Sequence, residues 1–332
     1  MRQTIQKHLY CANLYVRLLK HWAGMLFGKS YWHAQQGLGR QFIPGQLLGY
    51  YNDLTGKTNW AGPVDENGLP LNELISGTYI HFPTTLLQKA LGHWDRWLES
   101  KQADDDERAA FLKIAEWALR SQDASGGWAI WPVLGLSYAS PYSAMTQGEA
   151  VSVLVRAATL TQDVSYSEAA RRAIGLMLTT VERGGACRST SEGMVLEEAP
   201  LVPHNTMLNG WIFALYGLYD YLLLAKVCQQ DAEWAERALR GSLQALLAQM
   251  PLFSAGFWSY YDTSGNLASP FYQQLHIAQL RALEITFPEH AEEIGRWRLL
   301  FGRQAESRLN KARAVALKAY QKLRRPPEVV LR

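Results

Sequence analysis

A mainly α-helical fold is predicted for this chain by two features of its pattern. Apolar residues recur at helical spacing while strand-type alternation is scarce. From Pro83 onward, helical segments alternate with loops in a weak two-helix repeat. The repeat shows where F-L-K-I-A-E-W-A-L-R-S-Q-D-A-S-G-G-W (111–128) is echoed by L-Q-A-L-L-A-Q-M-P-L-F-S-A-G-F-W-S-Y (243–260), each a helix leading to a Gly-aromatic turn. Paired helices with their functional loops gathered at one end predict an incomplete α/α toroid.

Residues 4–27 carry Ile5, Leu9, Ala12, Leu14, Val16, Leu18 and Leu19 among basic residues, an amphipathic helix with a cationic face. Residues 29–80 are rich in Gly, Asn, Asp and aromatics and read as long loops, with a short hairpin or two, laid over a helical body. Helices are expected near 84–100, 105–122, 145–161, 165–183, 206–228, 231–250, 271–286 and 289–322. Pro83 suits a first helical turn, Thr84 and Thr85 help to cap it, and Gly126–Gly127 and Gly184–Gly185 are expected to end their helices. No Pro/Ser-rich linker divides 83–322. Two units are therefore expected: an N-terminal helix and loop-rich segment over 1–80, and a toroid domain over 81–325.

Composition bounds the function. The 332 residues, 48% of them hydrophobic, can bury a large core. Charged residues make up 19%, fewer than the roughly 25% of typical globular chains, which argues against disorder. A net charge of +3 is too small to point to nucleic acid and suits an acidic polymer. Cys11, Cys187 and Cys228 are scattered and lack metal-ligand spacing, so neither a disulfide scaffold nor a zinc site is expected. No metal or cofactor is implied. No apolar run reaches the roughly 18 residues of a membrane span, and the basic N-terminus leads into no signal-peptide core. A cytoplasmic location is the expectation. The tail R-L-N-K-A-R-A-V-A-L-K-A-Y-Q-K-L-R-R-P-P (308–327) is a basic amphipathic helix. It reads as a solvated surface or, together with the N-terminal helix, as a face for anionic lipid at the inner membrane surface, polysaccharide-synthesis machinery or an acidic glycan. A homodimer is compatible with this reading.

The 12 Trp and 16 Tyr are an excess that carbohydrate-handling proteins often show. Between 121 and 157 a helix ends in Gly-Gly-Trp and a Tyr-Ser turn opens the next helix. That junction gathers Trp128, Trp131, Tyr142, Ser143, Gln147 and Glu149. Aromatic walls stack on the apolar faces of a sugar ring, and amides and carboxylates take its hydroxyls.

Four segments resemble the C-terminal helical domain of the D-glucuronyl C5-epimerases, which act on heparosan and heparan sulfate precursors. They are H-F-P-T-T-L-L-Q-K-A-L-G-H-W-D (81–95); S-Q-D-A-S-G-G-W with Y-S-A-M-T-Q-G-E-A-V-S-V-L-V-R-A; L-E-E-A-P with M-L-N-G-W-I-F-A-L-Y-G-L-Y-D (196–220); and F-W-S-Y-Y-D with F-Y-Q-Q-L-H-I-A-Q-L (257–280). The chain departs from the pattern in three places. Ala199 stands where the family has Tyr after the paired glutamates. Thr263–Ser264 stand where a basic residue follows the Tyr-Asp element. Glu149 stands where Gln is usual.

The resemblance implies C5 epimerisation of glucuronate units, to the L-iduronate type, in a uronate polysaccharide of exopolysaccharide biosynthesis. A proton α to a carboxylate leaves one face of C5 and another returns to the opposite face. The site must therefore supply a base, an acid and stabilisation for an enolate-like dianion. Glu197 and Glu198 are the general-base candidates, since paired carboxylates can have separated pKa values; Glu198 matches the family's functional glutamate. Tyr261 and Tyr272 resemble its catalytic or substrate-binding tyrosines, and Asn209 its substrate-contacting Asn. Trp128, Tyr142 and Gln147 are expected to bind the sugar. Tyr219, ten residues after Asn209 and roughly on its face, is a site or a core residue. His276, one turn after Tyr272, tunes that phenol or packs, and His204 orients a carboxylate or caps a helix. Two rival readings stay open: a uronate lyase using the same abstraction, and a non-catalytic glycan-binding subunit.

Overall fold

Side-chain oxygens and prolines start most of the helices. The computed structural model describes residues 34–74 and 76–324, so the helix read over 4–27 lies outside it. The described residues form nine α-helices: α1 (Pro83–Glu99), α2 (Asp105–Ser121), α3 (Ala144–Thr161), α4 (Val164–Met177), α5 (Leu208–Val227), α6 (Glu233–Gln249), α7 (Pro270–Thr286), α8 (Ala291–Glu306) and α9 (Arg308–Arg324). Asp104 accepts from the Asp106 and Glu107 amides, Ser143 from Thr146, Asp163 from Ser165 and Ser269 from Tyr272. Each bond satisfies a first-turn N–H that a helix leaves free.

The chain is mainly α, with consecutive helices packed in pairs. The odd members α1, α3, α5 and α7 also pack on one another in series. Helix α3 is buried on every side from Ala144 to Ala158, and α5 is nearly as enclosed. By contrast α2, α4, α6 and α8 bury one stripe each and turn charged residues outward, as helices on an outer layer do. The described residues also form short 3₁₀ turns and two short antiparallel hairpins, β1 (Asn72–Glu73) with β2 (Tyr79–Ile80) and β3 (Cys187–Thr190) with β4 (Gly193–Leu196).

Three expectations are corrected. The long C-terminal helix is two, because Ser307 adopts an extended conformation and its hydroxyl accepts from the Asn310 amide, restarting the helix as α9. The paired glycines do not end α-helices; Gly184 caps only a short 3₁₀ helix, Val181–Arg183. Helix α2 stops at Ser121, and Gly126 (φ +92°) closes a turn in which Asp123 and Gly127 bond. Helix α4 stops at Met177, well before Gly184 (φ +85°). The β3–β4 hairpin was not expected at all, since four-residue strands carry too little alternation to register.

Helices α3 and α5 approach so closely that only glycine fits between them. A Cβ on Gly217 would lie 2.2 Å from the Gly148 carbonyl oxygen, and one on Gly148 would lie 2.7 Å from the Ala214 Cα. Two turns along α3 and about one along α5, Arg156 and Asp220 form a buried ion pair (2.6 Å). Arg156 also donates to the carbonyls of Leu48 and Gly49, and Tyr51 donates to Asp220. The loop-rich segment is thereby tied to the helical core. Arg156→Ala leaves the Asp220 carboxylate buried without its counter-charge and should cost about 3–5 kcal/mol in denaturant unfolding. Tyr51→Phe, which removes one hydrogen bond, should cost about 1 kcal/mol.

Candidate functional site

Strand β4 runs straight into Glu197 and Glu198, and extended backbone sends consecutive side chains to opposite sides. The Glu197 carboxylate is fully buried and pairs with His204 Nε2 (2.5 Å) and Arg188 Nε (3.4 Å). Glu198 turns the other way, toward the start of α5. Its Oε2 accepts from Asn209 Nδ2 and its Oε1 from the Tyr261 hydroxyl, both at 3.3 Å. The carboxylate lies against the first turn of α5 because residue 210 is glycine: a Cβ there would sit 2.2 Å from Oε2. The loop carrying Tyr261 is fixed to the same helix end, since the Tyr261 carbonyl accepts the Leu208 N–H (3.1 Å). Tyr272, from α7, meets Tyr261 edge to face with ring centroids 4.7 Å apart.

The site is backed by a linked polar set. The Ser259 amide and hydroxyl both donate to Gln273 Oε1 (2.8 and 2.7 Å). The hydroxyl oxygen therefore receives the N–H of His276 Nδ1 (2.9 Å). Burial holds the His276 imidazole neutral, its pKa pushed down to about 3.

Electrostatically, Glu198 is a carboxylate near its midpoint. Burial raises its pKa to about 7, opposed by the Tyr261 and Asn209 hydrogen bonds and reinforced by Asp262. Burial also raises Tyr261 and Tyr272 above the ordinary phenol range, with the Glu198 charge adding to both. These phenols keep their protons at neutral pH. Glu149 of α3 is a second buried carboxyl, raised to about 8 by burial; Gln88 of α1 donates to it (2.8 Å), Lys57 opposes the rise, and the Glu198 charge adds to it.

Glu198, Asn209, Tyr261 and Tyr272 are thus brought together, with His276 directly behind. The other expected site residues make contacts of their own. Trp128 is buried and donates its indole N–H to the Ala118 carbonyl and the Ser121 hydroxyl. Tyr142 donates to Asp123 (2.7 Å), and the fully buried Gln147 donates to the Trp128 carbonyl (3.3 Å). These three join the 121–143 junction to α2 and α3 through bonds of their own. Tyr219 packs on Phe287 midway along α5, about 15 Å along the axis from Asn209. Glu197 faces away from Glu198, with His204 orienting it. Surface hollows of about 410 Å³ beside Ser100–Asp106 and about 360 Å³ between Gln36 and Arg298 contain none of the cluster.

A family model for the D-glucuronyl C5-epimerase C-terminus matches residues 131–296. The chain belongs to that family. A D-glucuronyl C5-epimerase from Caenorhabditis elegans is 28% identical over 201 residues, covering 54% of this chain and 32% of the relative. The match spans about a third of that relative's length. All four clustered residues fall inside the family match, whereas Lys57, Gln88 and the whole of α9 fall outside it. Helix α9 is the feature that sequence reasoning did not attach to the site. Its Lys318 ammonium lies over the Tyr261 ring, 5.7 Å from the centroid, and only the folded chain brings together residues so distant in sequence.

Two measurements test this electrostatic description. Tyr261→Phe removes a hydrogen bond that favours ionised Glu198, so the Glu198 midpoint should move above about 7 in a carboxyl-¹³C NMR titration. Glu149 has a folded-state pKa raised from 4.5 to about 8. Its contribution to stability is present in full below the unfolded value and is lost as pH rises through the folded one. Glu149→Gln should therefore flatten the fall in unfolding free energy between those two pH values, by up to about 1.4 kcal/mol per pH unit, and should unfold later than the parent in alkaline denaturation.

Proposed function

We propose that this protein epimerises D-glucuronate units at C5 within a polysaccharide of the heparosan type, on an incomplete α/α toroid whose inner helices are α1, α3, α5 and α7. The observation that carries the reading is a base–phenol chain, Glu198–Tyr261–Tyr272, inside the family match. A carboxylate with a midpoint near neutrality is suited to remove a proton from a weak carbon acid. Glu198 takes H5 from one face of the ring. The Tyr272 hydroxyl, still protonated at neutral pH, delivers a proton to the opposite face. Tyr261 sits between them; passing its own proton to the Tyr272 oxygen and taking the one on Glu198 restores the starting state. Asn209 holds the Glu198 carboxylate in place throughout.

The test is incubation with heparosan in D₂O followed by NMR at H5. Deuterium entering C5 without chain cleavage is the expected result. An unsaturated uronate end-group instead would assign a lyase, and binding without exchange would assign a glycan-binding subunit. Glu198→Gln and Tyr272→Phe should each lower exchange by about 10²-fold or more with glycan affinity near that of the parent. Full exchange in both variants would place the proton carriers elsewhere. The acid limb of the rate profile should follow the unprotonated Glu198, with activity falling as pH drops below about 7.

A further inference from the structure

The loop that presents Tyr261, residues 254–269, contains no Lys or Arg, and Thr263–Ser264 follow its Tyr-Asp pair. A positive charge nevertheless reaches Tyr261 from another part of the chain. Helix α9 docks on this loop through several independent contacts. Gln321 accepts from the Leu267 amide and donates to the Gly265 carbonyl, both at 3.0 Å. Ala314 is buried with Trp258, Leu267 and Ala268, and the Arg313 guanidinium lies over the Phe257 ring (3.9 Å). This registers Lys318, half-buried, over the Tyr261 ring, with Lys322 one turn further on. Lys318 forms no ion pair with a described residue. Burial lowers its pKa to about 8, Lys322 adds to that, and Asp262 opposes it. A cation poorly solvated, unpaired by carboxylate and held beside a phenol is an anion site awaiting its anion.

The geometry points to Lys318, on a helix outside the family match, as the residue that receives the carboxylate of the uronate unit reacting at Glu198 and Tyr261. The assignment rests on the uronate reading above. Removal of H5 spreads a second negative charge onto that carboxylate. An ammonium already in place attracts the developing dianion more strongly than the bound substrate. Lys318 is thus a substrate-positioning and specificity-determining residue, distinct from the proton carriers.

The experiment is calorimetric binding of a heparosan oligosaccharide and of its carboxyl-reduced, neutral counterpart to the full chain, alongside C5 exchange. The expected result is that Lys318→Gln loses about tenfold or more in affinity for the uronate form and nothing for the neutral form, while Lys318→Arg keeps most of the preference and an unchanged melting curve accompanies both. A Lys318→Gln protein that still discriminates between the two forms as the parent does overturns the assignment and leaves the epimerase reading intact. A parent that prefers the uronate form but shows no C5 exchange sinks the epimerase reading, while the lysine is still judged by the binding comparison. A parent that binds both forms alike overturns the lysine assignment, while the epimerase reading is still judged by C5 exchange.

Discussion

The contact between α3 and α5 is the constraint on which the rest depends. Two glycines, Gly148 and Gly217, let the helix backbones touch, and the buried Arg156–Asp220 pair joins the same two helices. Close approach excludes water from the space between them, so each polar group there must be met by another. Arg156 meets that demand outward as well as inward, by taking the Leu48 and Gly49 carbonyls. The loop-rich segment is therefore held by the same residue that holds the core together.

The site grows from the end of this contact. The first turn of α5 offers Asn209 and the open face of Gly210, and Glu198 fills that space because no side chain competes for it. The Leu208 N–H then anchors the Tyr261 backbone, so one helix start positions both the carboxylate and the phenol. The burial that makes this arrangement rigid also raises the pKa values of Glu198 and Glu149. Charged carboxylates in such surroundings oppose folding, which is a cost that a purely structural core would avoid. A cluster that stabilised the protein best would have apolar residues in these positions. Two costly carboxyls, Glu198 against the Tyr261 phenol and Glu149 within its electrostatic reach, suit the chemistry on a carbon acid proposed for the site.

Helix α9 shows how a segment beyond the recognisable domain becomes part of it. Its charge pattern resembles that of any basic surface helix, but one face is buried, with Ala314 and Val315 inside. Docking changes the meaning of its lysines. Two of them move from water into a partly enclosed space, and both become easier to deprotonate. No helix among the described residues is long and apolar enough to cross a membrane.

Helical class, most helix positions and the identity of Glu198, Asn209, Tyr261 and Tyr272 could be read from the chain itself. Helical periodicity is a local property, and the motif segments lie within short windows. What local pattern could not decide was direction. Glu197 and Glu198 are neighbours of the same chemistry, yet the β4 exit turns one toward His204 and the other toward Tyr261. Trp128, Tyr142 and Gln147 have the composition of a sugar-binding wall, but the Trp128 indole N–H, the Tyr142 hydroxyl and the Gln147 amide N–H are spent on Ala118, Ser121, Asp123 and the Trp128 carbonyl. Tyr219 shares a helix face with Asn209, but a face extends along the whole helix, and Tyr219 sits about three turns from Asn209. The seating of Lys318 over Tyr261 joins residues more than fifty positions apart. Such pairings follow from how the helices pack, because burial and hydrogen-bond partners are supplied by the rest of the fold and not by neighbouring residues in the chain.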